Sequence, residues 1–115
     1  MISTLFRFRG HNSLRYVYSH GTALRSQIFT VKYVINKRRS QPRFSVVVSK
    51  KVIKSAVARN RIRRRTYEYI RLNMPRLSDV YDVVFICTSS EVRSMPADEL
   101  YAQLNELLEK SDLYR

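Results

Sequence analysis

Apolar residues recur along this chain with two distinct periods. Between residues 12 and 20, Leu14, Val17 and Tyr18 fall at i, i+3 and i+4, the spacing of one helix face, and Gly21 stands where such a helix would end. From 27 to 36 the period drops to two. Phe29, Val31, Tyr33 and Ile35 alternate with Thr30, Lys32 and Asn36, which predicts a half-buried strand. Residues 37–42 form a polar, basic turn, and Phe44, Val46 and Val48 mark a second alternating strand over 43–49. Residues 55–73 carry the longest helical pattern, closed by Met74-Pro75 because the residue before a proline resists the α region. The nearly continuous apolar run over 80–88 predicts a strand covered on both faces. Ser94 is placed to cap a last helix, with Pro96 in its opening turn and Asp98 and Glu99 near its positive end. Leu100, Leu104, Leu107 and Leu108 form the core stripe of that helix. The order helix, strands, helix, strand, helix predicts an α+β fold, an α/β sandwich in which helices cover a small mixed sheet.

With 115 residues and neither repeats nor a Pro/Gly-rich linker, the chain is expected to form a single domain over 1–115, residues 1–10 being an irregular basic arm with Arg7 and Arg9. An apolar content of 44% excludes a chain disordered by composition. The single cysteine, Cys87, excludes an internal disulfide and a Cys-rich metal site, and its apolar neighbours Phe85 and Ile86 predict an inert core thiol. No window nears the ~18 consecutive apolar residues of a membrane span, and Met1 leads into no apolar secretory segment, so a cytoplasmic protein is expected.

Charge changes the picture most. Lys and Arg number 22 against nine Asp and Glu, a net charge of +13. Residues 1–67 hold 17 basic side chains and no carboxylate, whereas residues 68–115 hold five basic and nine acidic ones. A solvated basic face normally comes interspersed with Glu and Asp. Their absence over 67 residues points to a polyanionic partner. A membrane surface would call for one long amphipathic helix with a basic rim. Here the cations are spread over strands, turns and helix, which favours nucleic acid.

The long helix concentrates the charge. At about 100° per residue, Ala58, Thr66, Tyr69, Ile70 and Asn73 gather around Ile62 as the buried face. Asn60, Arg64, Tyr67 and Arg71 point away, flanked by Arg61 and Arg63, with Arg59 and Arg65 nearer the apolar border. Like charges at i, i+4 repel by a few tenths of a kcal/mol each, and Glu68 is the only acidic residue on this helix. Phosphate relieves such a field well, because the guanidinium fork matches two phosphate oxygens. Lys50, Lys51 and Lys54 extend the same patch as point charges, and Asn60 offers a donor and an acceptor suited to a base edge or a 2′-hydroxyl.

The same residues carry a resemblance. Lys50-Lys51, Ala56 and Arg59-Asn60-Arg61-Ile62-Arg63-Arg64 resemble the paired-lysine and Arg-Asn-Arg block of the bacterial ribonuclease P protein component. The likeness extends over the whole chain, including the run from Asp82 to Phe85. It implies a two-layer α/β sandwich with an αβββαβα-like order, a left-handed β-α-β crossover around the Arg-Asn-Arg helix, and kinship with a ribosomal protein domain. It further implies a subunit that binds the catalytic ribonuclease P RNA and the 5′ leader of precursor tRNA. The RNA would hold the Mg2+ ions and perform the hydrolysis, leaving no catalytic residue and no metal site in the protein. Carried over, Lys50, Lys51, Lys54, Arg59, Asn60, Arg61, Arg63, Arg64 and Arg71 would bind RNA. Leu14 and Tyr18, with the strand face of Phe29, Val31 and Tyr33, would form the leader cleft, where aromatic stacking tolerates any base. Leu14 stands where the family often has an aromatic, Tyr67 where it often has Arg, and Arg63 where it often has Lys. Neither a membrane nor an obligate protein partner is expected.

Two other readings compete. A basic protein of another ribonucleoprotein, such as the ribosome, fits the composition, but the spacing of Lys50-Lys51 from Arg59-Asn60-Arg61 favours ribonuclease P. A self-sufficient nuclease needs converging carboxylates for a two-metal site. Asp79, Asp82, Glu91 and Asp98 are instead scattered, and His11 and His20 fit surface or helix-end positions better than an acid–base pair.

Overall fold

The computed structural model describes residues 6–8 and 11–115. Helix α1 (His11–His20) leads through Gly21 into β1 (Thr22–Arg25), followed by β2 (Phe29–Ile35), β3 (Arg43–Val47), α2 (Ala56–Asn73), β4 (Tyr81–Cys87) and α3 (Ala97–Glu109). Short 3-10 turns at Met74–Arg76 and Ser90–Ser94 flank β4. The sheet runs in the order β1-β2-β4-β3. The β1–β2 and β2–β4 pairs are antiparallel, and β3 lies parallel to β4, so α2 is the crossover between neighbouring parallel strands.

Alternation along each strand sorts the side chains onto two faces. Val31, Tyr33, Val46, Val83 and Phe85 point into the main core, where Ile62, Tyr69 and Ile70 of α2 and Leu100, Leu104, Leu107 and Leu108 of α3 meet them. Complete burial of each leucine stabilises the fold by roughly 2 kcal/mol. The intervening positions, Val34, Val47, Val84 and Ile86, face the other way and pack with Leu14 and Val17 of α1 and with Phe8. Strand β4 is thus covered on both sides, as its nearly continuous apolar run predicts.

Several local expectations are corrected. Strand β1 carries no alternating signal: its half-buried Ala23 and Leu24 sit side by side, and pairing with β2 is what makes it a strand. Ser94 does not cap α3. Its hydroxyl bonds Glu91 O within the 3-10 turn, and Pro96 occupies the cap position. Ile35 is 44% exposed, at the end of β2 where the sheet gives out. Tyr67 is buried, not outward-facing: α2 crosses the edge of β3 there, and the Val46 amide donates to the Tyr67 hydroxyl at 3.2 Å. Most of the expected N-terminal arm lies outside the described residues. Arg7 forms a parallel bridge with Phe44, and the Phe8 amide donates to Phe44 O at 3.1 Å.

Candidate nucleic-acid interface

Strand β3 ends in a tight turn, with the amides of Val52 and Ile53 both donating to Ser49 O at 3.2 and 3.0 Å. This turn lifts Lys50 and Lys51 into solvent. Ser55 then caps α2, its hydroxyl accepting from the Ala58 amide at 3.2 Å. Arg59 reaches back from the first turn, Nη1 donating to Ile53 O at 3.0 Å and Lys54 O at 2.9 Å. One of its nitrogens therefore ties the lysine turn to the helix, so Arg59 positions the patch as well as adding charge to it.

Beyond that tie the helix fans out its cations. Asn60, Arg61, Arg64 and Arg71 are exposed, and Arg59 and Arg63 are half-buried. Arg63 donates to Asn60 Oδ1, which directs the amide along the helix surface. Arg71 is engaged by Glu68, its Nε lying 3.1 Å from each carboxylate oxygen, and this hydrogen bond lowers the Glu68 pKa. Arg65 turns inward, donating to Met95 O at 3.0 Å. The other ion pairs among the described residues are Arg43–Asp82, Arg76–Glu109 and Lys110–Glu106. Lys50, Lys51, Lys54, Arg59, Arg61, Arg63 and Arg64 thus meet no carboxylate there. The acidic half of the sequence leaves this field uncompensated. Val57 is 78% exposed on the same side of α2, an apolar contact point that a charge-based reading misses.

The residues expected around a leader cleft divide between the two sheet faces. Phe29 and Val31 are fully buried and Tyr33 nearly so, and all three belong to the main core beneath α2 and α3. They cannot contact a ligand lying beside α1. The period-two pattern marks them as one face but leaves open which helix covers it. The α1 side of β2 instead bears Thr30, Lys32 and Val34. Tyr18 stays 40% exposed with Lys32 Nζ 5.3 Å from its ring centroid, and Leu14 is half-buried beside them. Lys32, a polar position in the alternating pattern of β2, thus joins Leu14 and Tyr18 as a candidate contact on the α1 side of the sheet.

No group of three or more His, Cys, Asp or Glu that could hold a metal ion occurs among the described residues. Asp82 is held by Arg43 at 2.7 Å and by Asn36 at 3.0 Å, and Cys87 lies in the core, where burial raises its thiol pKa. His20 stacks on Tyr16 with ring centroids 4.3 Å apart at the end of α1. None of the described helices is long and apolar enough to cross a membrane.

An RNA-binding α+β module with a basic crossover helix is the class that this fold and this surface define. Residues 3–112 match the sequence model of the Ribonuclease P family. The ribonuclease P protein component of Chloroflexus aurantiacus is 36% identical over 108 residues, covering 94% of this chain and 78% of the relative. That of Desulfosudis oleivorans is 36% identical, with 94% and 92% covered. Among solved structures, the Staphylococcus aureus RNase P protein superposes with a TM-score of 0.86 at 22% identity, covering 96% of this chain and 98% of that one. The RNase P protein from Thermotoga maritima gives 0.80 at 24% identity, with 91% and 96% covered. The chain belongs to the Ribonuclease P family, and the tRNA 5′-processing role that the resemblance implies is the role of that family.

Proposed function

We propose that the chain acts as one RNA-binding domain over 1–115 and that it binds ribonuclease P RNA through the outer face of α2. Lys50, Lys51, Lys54, Arg59, Asn60, Arg61, Arg63, Arg64 and Arg71 make up that surface. The precursor tRNA leader lies on the other side of the sheet, against Leu14, Tyr18 and Lys32. The RNA subunit performs the phosphodiester hydrolysis and holds the Mg2+ ions, and the protein contributes affinity and orientation. The setting is the bacterial cytoplasm, with neither a membrane nor an obligate protein partner.

The observation that carries this reading is the row of α2 cations, centred on Arg61 and Arg64, that finds no carboxylate within ion-pair distance among the described residues. Phosphate supplies the missing counter-charge and suits the guanidinium fork. The test is reconstitution with a bacterial ribonuclease P RNA, measuring precursor tRNA cleavage at low Mg2+. The wild-type chain is expected to restore cleavage. Arg61→Ala/Arg64→Ala should need on the order of 100-fold more protein for the same rate, each lost charge-assisted contact being worth about 1.5 kcal/mol, while melting no lower than the wild type. Cleavage by the protein without RNA, or full activity of the double variant, would overturn the proposal.

A further inference from the structure

A second basic concavity, unused by that reading, lies where β2 turns toward β3. It is a groove of about 740 Å³ with Ser13 and Tyr16 of α1 on one wall and Asn36, Lys37, Arg38 and Arg39 on the other. Two helical residues subtend about 200°, so Tyr16 lies on the opposite flank of α1 from Tyr18 and Lys32. The one carboxylate in the groove wall, Asp82, is buried and already neutralised. Arg43 donates to it from Nε at 3.0 Å and Nη2 at 2.7 Å, and Asn36 Nδ2 donates at 3.0 Å. Asn36 carries this order outward. Its amide donates to Val80 O at 2.9 Å, and its Oδ1 accepts from the Arg38 amide at 3.1 Å. The loop is therefore shaped from a buried ion pair, and its three cationic side chains are left exposed with no carboxylate within ion-pair distance among the described residues.

Tyr16 supplies the other half of the chemistry. Tyr16 is 53% exposed, and its ring stacks on that of His20 at 4.3 Å and 22°. An exposed aromatic beside three cations is suited to single-stranded nucleic acid, where a base stacks on the ring and phosphates meet the charges. An acidic peptide would use the cations but has no general partner for the ring.

We propose that this groove is a second, separate binding site for single-stranded RNA, one base stacking on Tyr16 and the adjoining phosphates meeting Lys37, Arg38 and Arg39. The strand comes either from a distal stretch of the precursor leader or from an unpaired segment of the catalytic RNA.

The experiment measures binding of labelled octauridylate to the purified full chain by fluorescence anisotropy across a salt series. Lys37→Ala/Arg38→Ala/Arg39→Ala should weaken binding at least about tenfold and flatten the slope of log affinity against log salt by about two, since each single-strand phosphate contact contributes about 0.7. Tyr16→Ala should weaken binding about tenfold with the slope unchanged, and Tyr16→Phe should restore it. All four side chains are exposed, and Arg38 holds the loop through its backbone, so the melting temperature serves as the folding control. Weakening confined to leader-bearing precursor tRNA assigns the strand to the leader. Weakening of binding to ribonuclease P RNA alone assigns it to the catalytic RNA. Affinity and slope unchanged in the triple variant, or Tyr16→Ala binding like the wild type, would overturn the proposal. The α2 reading stands or falls on Arg61→Ala/Arg64→Ala in reconstitution, so the two can fail separately.

Discussion

Tyr67 sits where α2 passes over the edge of β3, with the Arg7 guanidinium carbon 5.7 Å from its ring centroid and its hydroxyl accepting the Val46 amide. Removing that hydroxyl leaves a buried N–H without a partner, which costs about 1–3 kcal/mol. Tyr67→Phe is therefore expected to lower the melting temperature by several degrees while RNA affinity changes less than twofold; a normal melt with weakened RNA binding would place Tyr67 in the interface instead. The position lies some 140° from Ile62 on a helical wheel, and a wheel registers direction but not reach. A phenol long enough to curl over a neighbouring strand edge therefore defeats it. Gly21 marks a helix end in the sequence, and two contacts require glycine there: a Cβ would lie 2.5 Å from Val17 O in the last turn of α1 and 3.0 Å from Tyr33 O of β2. The first follows from the helix end itself, and the second, the passage of the chain beside β2, is visible only in the fold. Arg61 and Arg64 needed only the wheel, because solvent-facing charge requires no partner to be known.

At the scale of elements, periodicity located α1, β2, β3, α2, β4 and α3 because each carries enough apolar positions to fix its own face. It could not tell which helix covers which face of β2, since either covering satisfies the same alternation. The division of Phe29, Val31 and Tyr33 from Lys32 rests instead on how the crossover α2 and the last helix share one side of the sheet. The C-terminal segment is fastened to that side by phenols. Tyr33 Oη donates to Asp112 Oδ1 at 2.7 Å, while Tyr69 Oη donates to Asn105 Oδ1 at 2.7 Å and lies 2.7 Å from Tyr114 Oη. Burial, helped by these neighbours, pushes the pKa of Tyr33 and Tyr69 above the ordinary phenol value of 10.0. Both groups hold their protons more tightly folded than unfolded, so the stability they contribute is fully present below the unfolded value of about 10 and is lost as pH climbs above it. Denaturant midpoints should be flat from pH 7 to 9 and fall beyond pH 10. Tyr33→Phe, which removes one of the titrating groups, should make that fall shallower; an equally steep fall in this variant would show that the loss arises elsewhere.

Over the whole molecule the charge is lopsided in a way that the sequence displays and the fold preserves. Four ion pairs occur among the described residues, and the cations from Lys50 to Arg64 take no part in them. The free protein, at +13, therefore repels itself, and binding RNA relieves the repulsion. Added salt does the same to the free protein by screening, but it opposes binding by removing the gain from counterion release. Stability and affinity should therefore respond to salt with opposite sign. Between 50 and 200 mM salt, the melting temperature of the free chain should rise by a few degrees. Over the same interval its affinity for ribonuclease P RNA should fall on the order of 10³-fold if about six phosphates are contacted. Paired calorimetric and binding series on one preparation measure both. A protein held together by its ion pairs would show the two quantities falling together, because screening would weaken Arg76–Glu109 and Arg71–Glu68 along with the contacts to phosphate. Those pairs are partly exposed and worth little each, so the repulsion among the unpaired cations sets the sign.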